Sequence, residues 1–356
     1  MHNLTTLGFG LFFQQQLQPS DGYEPVVARI AAEHRNLYEV WSAKSAGAAQ
    51  LSGRLRAMPG SQPCVGDWVI LKSEPAAGRT TIIERVLARR TVFTRGAAGR
   101  QTRIQAVAAN IDRGFAVCGL DADFNINRIE RYVARIWASG AEPSVVLNKA
   151  DIAENGAART AEVGKRCPGV PVYMTSVLLS EGIEALRTGI RENETAAFVG
   201  SSGVGKSSLI NALIGERRMA TGHVRQSDGR GCHVTTHRQI IRLPAGGLLL
   251  DTPGMRELQL VDDHGLDAVF EDIAMLAGQC RFHDCRHETE PGCAVKQAVQ
   301  SGAIDAGRLE HYHKLEREAE SSERRRDVKL RREDERAWGR LIKEVARSQR
   351  LKKGPE

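Results

Sequence analysis

Gly200-Ser201-Ser202-Gly203-Val204-Gly205-Lys206-Ser207 is the stretch on which the fold turns. It fits G-x-x-x-x-G-K-[ST], with the apolar run Ala197-Phe198-Val199 before it and the helix-forming run Ser208-Leu209-Ile210-Asn211-Ala212-Leu213 after it. That order predicts a strand, a glycine-rich turn and a helix, the setting in which this motif binds phosphate. The glycines let backbone N–H groups turn toward phosphate oxygens at a helix N-terminus, and Ser208 continues that first turn. Lys206 adds a point charge for the β and γ phosphates, and the Ser207 hydroxyl is expected to ligate Mg²⁺. The loop does not separate ATP from GTP.

Outward from this loop, residues 104–270 alternate short apolar runs with amphipathic stretches. The runs are Phe115-Ala116-Val117-Cys118, Val145-Val146-Leu147, Val170 to Met174, Ala197-Phe198-Val199 and Leu248-Leu249-Leu250. Strands of this kind, buried on both faces and separated by helices, predict a parallel α/β sheet.

Two segments upstream of the phosphate loop are suited to reading a base. Asn148-Lys149-Ala150-Asp151 follows the strand candidate Ser144 to Leu147, at the strand end where open α/β sheets bind ligands. Guanine presents two adjacent donors, N1–H and the 2-amino group, and the Asp151 carboxylate can accept both. Adenine would leave that carboxylate unpaired and desolvated, which is the strong kind of discrimination. Lys149 is expected to lie along the base with its methylene stem, and Asn148 to brace neighbouring loops. Thr175-Ser176-Val177 fits a second loop, whose backbone N–H meets the guanine oxygen.

Downstream, Asp251-Thr252-Pro253-Gly254 matches D-x-x-G, in which the Asp holds Mg²⁺ through water and the Gly254 N–H meets the γ-phosphate. Between the two phosphate elements lies Gly229-Arg230-Gly231-Cys232-His233-Val234-Thr235-Thr236-His237. Either Thr235 or Thr236 could cap Mg²⁺ when the γ-phosphate is present. Met255 stands where many GTPases carry the Gln that orients the attacking water, and a thioether cannot polarise water. Hydrolysis is therefore expected to be slow without a partner, with His233 the nearest side chain able to position water.

Before the sheet, the runs Val26 to Ile30, Leu37 to Trp41, Asp67 to Leu71 and Thr80 to Leu87 have the spacing of a small β-barrel. Beyond it, Cys280-x4-Cys285-x-His287-x5-Cys293 offers three thiolates and one imidazole. Four such donors can close a tetrahedral zinc site with no open position, so the metal is expected to be structural, with His283 an alternative fourth ligand. The other four of the seven cysteines are scattered singly, which is no disulfide framework. No apolar run is long enough to cross a bilayer, and the expectation is a cytoplasmic protein with no membrane partner. The net charge of +7 favours a polyanionic partner, and residues 308–356 supply most of it, with 16 Lys/Arg against 11 Asp/Glu.

Taken together these residues resemble the circularly permuted GTPases called RsgA or YjeQ, over about Gly22 to Leu315. The resemblance is carried by Asn148 to Asp151 preceding Gly200 to Ser207, by the Cys/His spacing after the D-x-x-G, and by Val65-Gly66-Asp67-Trp68-Val69. It implies an N-terminal OB-fold (22–103), a permuted GTPase core (104–270) and a zinc-binding helical domain (271–315), while the extension before them (1–21) and the charged tail after them (316–356) carry no motif of the family. It also implies GTP hydrolysis, stimulated by the small ribosomal subunit and coupled to late maturation of that subunit, by a monomer that contacts rRNA through its OB-fold and zinc domain. The alternative is a nucleotide-gated rRNA-binding scaffold with negligible turnover. Permutation sends the chain from the Gly254 switch straight to Cys280, so hydrolysis is expected to loosen the pose of the zinc domain.

Overall fold

The structure, a computed structural model, describes residues 3–21, 24–34, 37–58, 62–96, 104–216, 238–251, 264–321 and 323. Five strands, β1 (Val26–His34), β2 (Leu37–Ser42), β3 (Ala46–Leu51), β4 (Trp68–Leu71) and β5 (Thr80–Val86), close a barrel in the order β1-β2-β3-β5-β4-β1. Alternation of side chains explains its core. Ala28, Ile30, Val69 and Leu71 fill the barrel, while Val27, Trp68 and Ile70 on the other face join a second cluster outside it. A short helix, α2 (Gly53–Ala57), packs on β3, its first turn capped by Ser52 Oγ.

The expected Asp67–Leu71 and Thr80–Leu87 runs are β4 and β5. Strand β3 has no counterpart among the expected runs. Its sequence, Ala46-Gly47-Ala48-Ala49-Gln50-Leu51, lacks the β-branched and aromatic residues that mark a strand, and tertiary pairing with β2 and β5 makes it one.

After the barrel, β6 (Val92–Gly96) and β7 (Ile104–Ala109) form an antiparallel hairpin. The α/β sheet follows with β8 (Arg113–Gly119), β9 (Glu142–Asn148), β10 (Val172–Thr175), β11 (Thr195–Gly200), β12 (Gln239–Arg242) and β13 (Leu248–Asp251), ordered β10-β9-β8-β11-β13-β12. All neighbours are parallel except β12, which runs antiparallel to β13. Helices α5 (Ile183–Thr188) and α6 (Lys206–Ile214) cover one face, against Phe115, Val117 and Phe198. Helices α3 (Ile126–Ala138), α4 (Gly156–Arg166) and α7 (His264–Val269) cover the other, against Ala116, Cys118 and Val199. Helix α3 shows why: Ile129, Tyr132, Val133 and Ile136 fall on one face, and Asn125 Oδ1 caps its start by accepting the Arg128 N–H at 3.0 Å.

Strand β12 also pairs with β1, through Ala32 and Gln239, so barrel and α/β sheet are one continuous sheet. Glu33 and Arg238 pair at 3.2 Å beside that junction, and the Arg242 guanidinium lies over Trp41. On the other side, the N-terminal segment with α1 (Leu11–Gln14) packs Phe9 and Phe13 against Trp68. Arg29 is buried where these pieces meet. It donates to the carbonyls of Leu7, Gly66 and Asn110, one from each segment, and burial lowers its pKa to about 9. Gly66 has φ 93°, and a Cβ there would lie 2.0 Å from the Ala109 carbonyl oxygen. The Val65-Gly66-Asp67-Trp68 sequence thus serves a junction, with buried Asp67 accepting from the Cys64 N–H and from both arms of Arg89 at 2.8 Å.

The C-terminal region contains α8 (Glu271–Ala277), α9 (Ala294–Gln300) and a helix over residues 306–321. A buried charge network fastens it to the α/β core. Glu130 on α3 is fully buried and pairs with Arg166 at 2.7 Å, with Arg308, and with His311 Nδ1 at 2.9 Å. Arg308 in turn grips Asp272 with two hydrogen bonds of 2.7 and 2.8 Å and donates to the Val269 carbonyl.

Candidate nucleotide site and metal centre

Three loops meet at the carboxyl ends of β9, β10 and β11. Asn148, the buried last residue of β9, donates from Nδ2 to the Val204 carbonyl at 2.9 Å, and its Oδ1 accepts from the Thr175 hydroxyl at 3.1 Å. One amide thereby ties the glycine-rich loop to the loop after β10, which is the bracing expected of Asn148. The fit is close enough to require glycine: Gly205 has φ 93°, and a Cβ there would lie 2.3 Å from Asn148 Nδ2.

Lys149 adopts φ 65°, a left-handed conformation that turns the chain so that Asp151 follows in a short helical turn. Ser176 donates its hydroxyl to Asp151 Oδ1 at 2.6 Å, holding one carboxylate oxygen in place. The Lys149 ammonium pairs with Asp121 Oδ2 at 2.6 Å, and Asp121 Oδ1 accepts the Asp123 N–H at 3.0 Å. Burial works to raise the Asp121 pKa, and the Lys149 and Asp123 donors reverse it, leaving it below the usual carboxylate value. Asp121 is absent from the site residues expected from sequence. Its only signal there is an acidic residue just past β8, at the end of the sheet where ligands bind.

At the phosphate end, Gly200, Ser201, Ser202, Gly203 and Val204 form the turn from β11, and Gly205 is the N-cap of α6. Lys206, Ser207 and Ser208 are its first, partly buried residues. The Lys206 ammonium donates to the Gly200 carbonyl at 2.8 Å and to that of Ser201. Asp251 ends β13, the strand beside β11. Its Oδ2 is buried with no hydrogen-bond partner among the described residues, and burial, partly offset by Lys206, pushes its pKa up to about 6. A carboxylate oxygen orphaned beside a phosphate loop is the donor a hard divalent cation takes, so these residues fit Mg²⁺. His233, Thr235, Thr236, Gly254 and Met255 lie outside the described residues.

The loop of Asn148 to Asp151 precedes the glycine-rich loop in the chain, and comparison with known proteins gives that order a family. A family model described as RsgA GTPase matches residues 86–261. The protein named small ribosomal subunit biogenesis GTPase RsgA 2 of Vibrio parahaemolyticus is 44% identical over 316 residues, covering 88% of this chain and 85% of its own. The chain belongs to the RsgA GTPase family. An RsgA of Opitutus terrae is 42% identical and covers 95% of both chains. The crystal structure of YjeQ from Thermotoga maritima is 27% identical, with a TM-score of 0.64, covering 83% of this chain and 99% of that one. The architecture expected from sequence is the one observed: a five-stranded barrel, a permuted GTPase sheet and a C-terminal Cys/His unit.

In this RsgA GTPase, Cys280, Cys285, His287 and Cys293 bring their ligand atoms within 4.8 Å of one another, and the cluster can hold a metal ion. His283 is exposed and outside it. Cys280 Sγ lies 3.8 Å from Cys293 Sγ and 3.6 Å from His287 Nδ1. A tetrahedron with metal–sulfur bonds of about 2.3 Å and a metal–nitrogen bond of about 2.0 Å has edges of roughly 3.8 and 3.5 Å, so the donor set fits. Cys293 also caps α9, accepting the Lys296 N–H at 3.4 Å.

Proposed function

We propose that the protein hydrolyses GTP in the cytoplasm, as a monomer, and couples that step to late maturation of the small ribosomal subunit. The observation that carries this reading is the Asn148 amide, which joins base-reading and phosphate-binding loops into one site in permuted order. The relatives' names as small ribosomal subunit biogenesis GTPases supply the partner.

Within the site, Asp151 accepts guanine N1–H and the 2-amino group, one of its oxygens steadied by Ser176. The Lys149 stem covers the base, and backbone N–H groups of the Thr175-Ser176 loop meet the guanine oxygen. Residues Gly200 to Ser208 cradle the phosphates. Lys206, which bonds its own loop carbonyls here, exchanges those for phosphate oxygens. Ser207 and Asp251 would hold Mg²⁺, whose charge offsets that developing on the phosphates. Thr235 or Thr236 and the Gly254 N–H sense the γ-phosphate, and His233 positions water. The Cys280, Cys285, His287 and Cys293 set is read as one structural zinc site, because three thiolates and an imidazole favour zinc and leave no coordination position open. The barrel and the metal-binding unit contact rRNA.

The test is GTP turnover with and without small subunits, on the wild type and on Lys206→Ala. Stimulation lost in the variant is expected. Turnover that the subunit leaves unchanged would favour a nucleotide-gated scaffold, and stimulation surviving Lys206→Ala would overturn the site.

A further inference from the structure

A cavity of about 450 Å³ opens between the start of α3 and the C-terminal helix, and none of its lining residues belongs to the nucleotide loops or the metal centre. Its chemistry is set by which side-chain atoms are already committed. Asn125 Oδ1 accepts the Arg128 N–H at 3.0 Å, and Asn127 Oδ1 accepts from the Arg166 guanidinium at 3.1 Å. An NH₂ group cannot accept those bonds, so both amides are oriented: each keeps its NH₂ group as a donor and one oxygen lone pair as an acceptor.

Arg128, Arg131 and Lys314 complete a wall of donors. Arg128 pairs with Asp123 at 2.7 Å, and Arg131 Nε, buried with no hydrogen-bond partner among the described residues, is 3.8 Å from Glu318. A guanidinium has five N–H groups, so a single carboxylate leaves donors to spare. Glu310 is the only carboxylate among the lining residues. His311, also on the wall, is bonded to Glu130, so the cavity's two sides are held together by the same buried network that docks the C-terminal region.

We infer that this cavity binds a phosphodiester of a single RNA strand in the small subunit. Many donors with a nearly balanced charge suit a monoanion rich in acceptors. Arg128, Arg131, Lys314 and the Arg135 that pairs with Glu318 at 2.5 Å stand against Glu310, Asp123 and Glu318, an excess of one positive charge that matches a phosphodiester and is too little for a polyphosphate. The inference rests on the proposed function for its partner and adds where on the molecule that partner is held.

The experiment replaces donors by acceptors without changing shape. Asn125→Asp with Asn127→Asp keeps both committed oxygens, and Asp remains a good N-cap, while each free NH₂ becomes a negatively charged oxygen. Binding is measured to isolated small subunits and to small-subunit RNA stripped of protein, with GDP affinity as control. The double variant is expected to bind both at least tenfold more weakly and GDP as the wild type does. Lys314→Gln is expected to lower the slope of log affinity against log salt by about one. Wild-type affinity in the double variant would sink the cavity alone, since the wild-type arm still reports subunit binding. A wild type that binds no subunit would remove the functional reading and the cavity's role with it. A loss seen with whole subunits and absent with bare RNA would assign the cavity to a ribosomal protein and overturn the inference.

Discussion

Two carboxylates flanking the nucleotide loops are perturbed in opposite directions, and each makes a testable statement. Asp121 is held low by Lys149, whose ammonium it anchors. If Asp121 acts through that lysine, Asp121→Asn and Lys149→Ala should each weaken GDP binding about threefold, the scale of a partly exposed pair, and the double variant should be no weaker than the single ones. Additive losses in a calorimetric titration would show independent roles. Asp251 is raised to about 6, so its favourable contribution is complete below its ordinary value near 3.8 and is lost as pH rises through about 6. In metal-free, nucleotide-free protein, Asp251→Asn should therefore raise stability at pH 8 by up to about 3 kcal/mol and change little at pH 4. Urea unfolding at the two pH values would read this, and an equal shift at both would refute it. At this scale most of the site was legible. Asn148, Asp151, Ser176 and Lys206 carry side chains whose chemistry suggests the roles proposed for them, whereas Asp121 became a candidate only when β8 and β9 were laid side by side.

Elements differ in how far sequence alone exposes them. Strands β8, β9, β11 and β13 are buried on both faces and read as apolar runs. Strand β12, only Gln239-Ile240-Ile241-Arg242, is too short and mixed to stand out, yet it is the strand that joins the α/β sheet to the barrel. The metal-binding element is the opposite case, since its spacing is explicit but its fold depends on a ligand. Chelation should raise amide hydrogen exchange across residues 280–293, because that stretch has no helix or strand and holds all four donors, while α9 beyond it is anchored by buried Val295 and Ala298, and should change GDP affinity less than twofold. Exchange that stayed unchanged after confirmed metal removal would mean that the helices α8 and α9 hold it unaided.

For the whole molecule, the buried network around Glu130 bears on how nucleotide state could reach the C-terminal region. Permutation suggests a tether from the switch to Cys280, and a tether could slacken on hydrolysis. Yet Glu130, Arg166, Arg308, His311 and Asp272 bolt the far end of that tether to α3 and α4. A network centred on a fully buried Glu130 argues for the C-terminal region staying with the α/β core, which favours transmission to the barrel through β12 and β1 over a loosened metal-binding domain. Glu130→Gln leaves two guanidiniums short of a counter-charge and should cost about 3 kcal/mol. Denaturant midpoints would show it, together with earlier proteolysis within residues 264–321. A neutral substitution would mean that packing of Phe270 and its neighbours suffices.

By itself the sequence determined the candidate chemistry: which loops are suited to phosphate and base, which four side chains can gather a metal, and the permuted order that marks the family. Those are properties of residue type and spacing, and they survive any arrangement of the domains. Only the tertiary structure decided the junctions. Arg29 linking three segments, Gly66 beneath Ala109, β1 extending the α/β sheet and Glu130 reaching Arg308 all pair residues tens to hundreds of positions apart. Such pairs leave no periodicity in a single chain, because each partner satisfies a buried charge or carbonyl that exists only once the domains have packed.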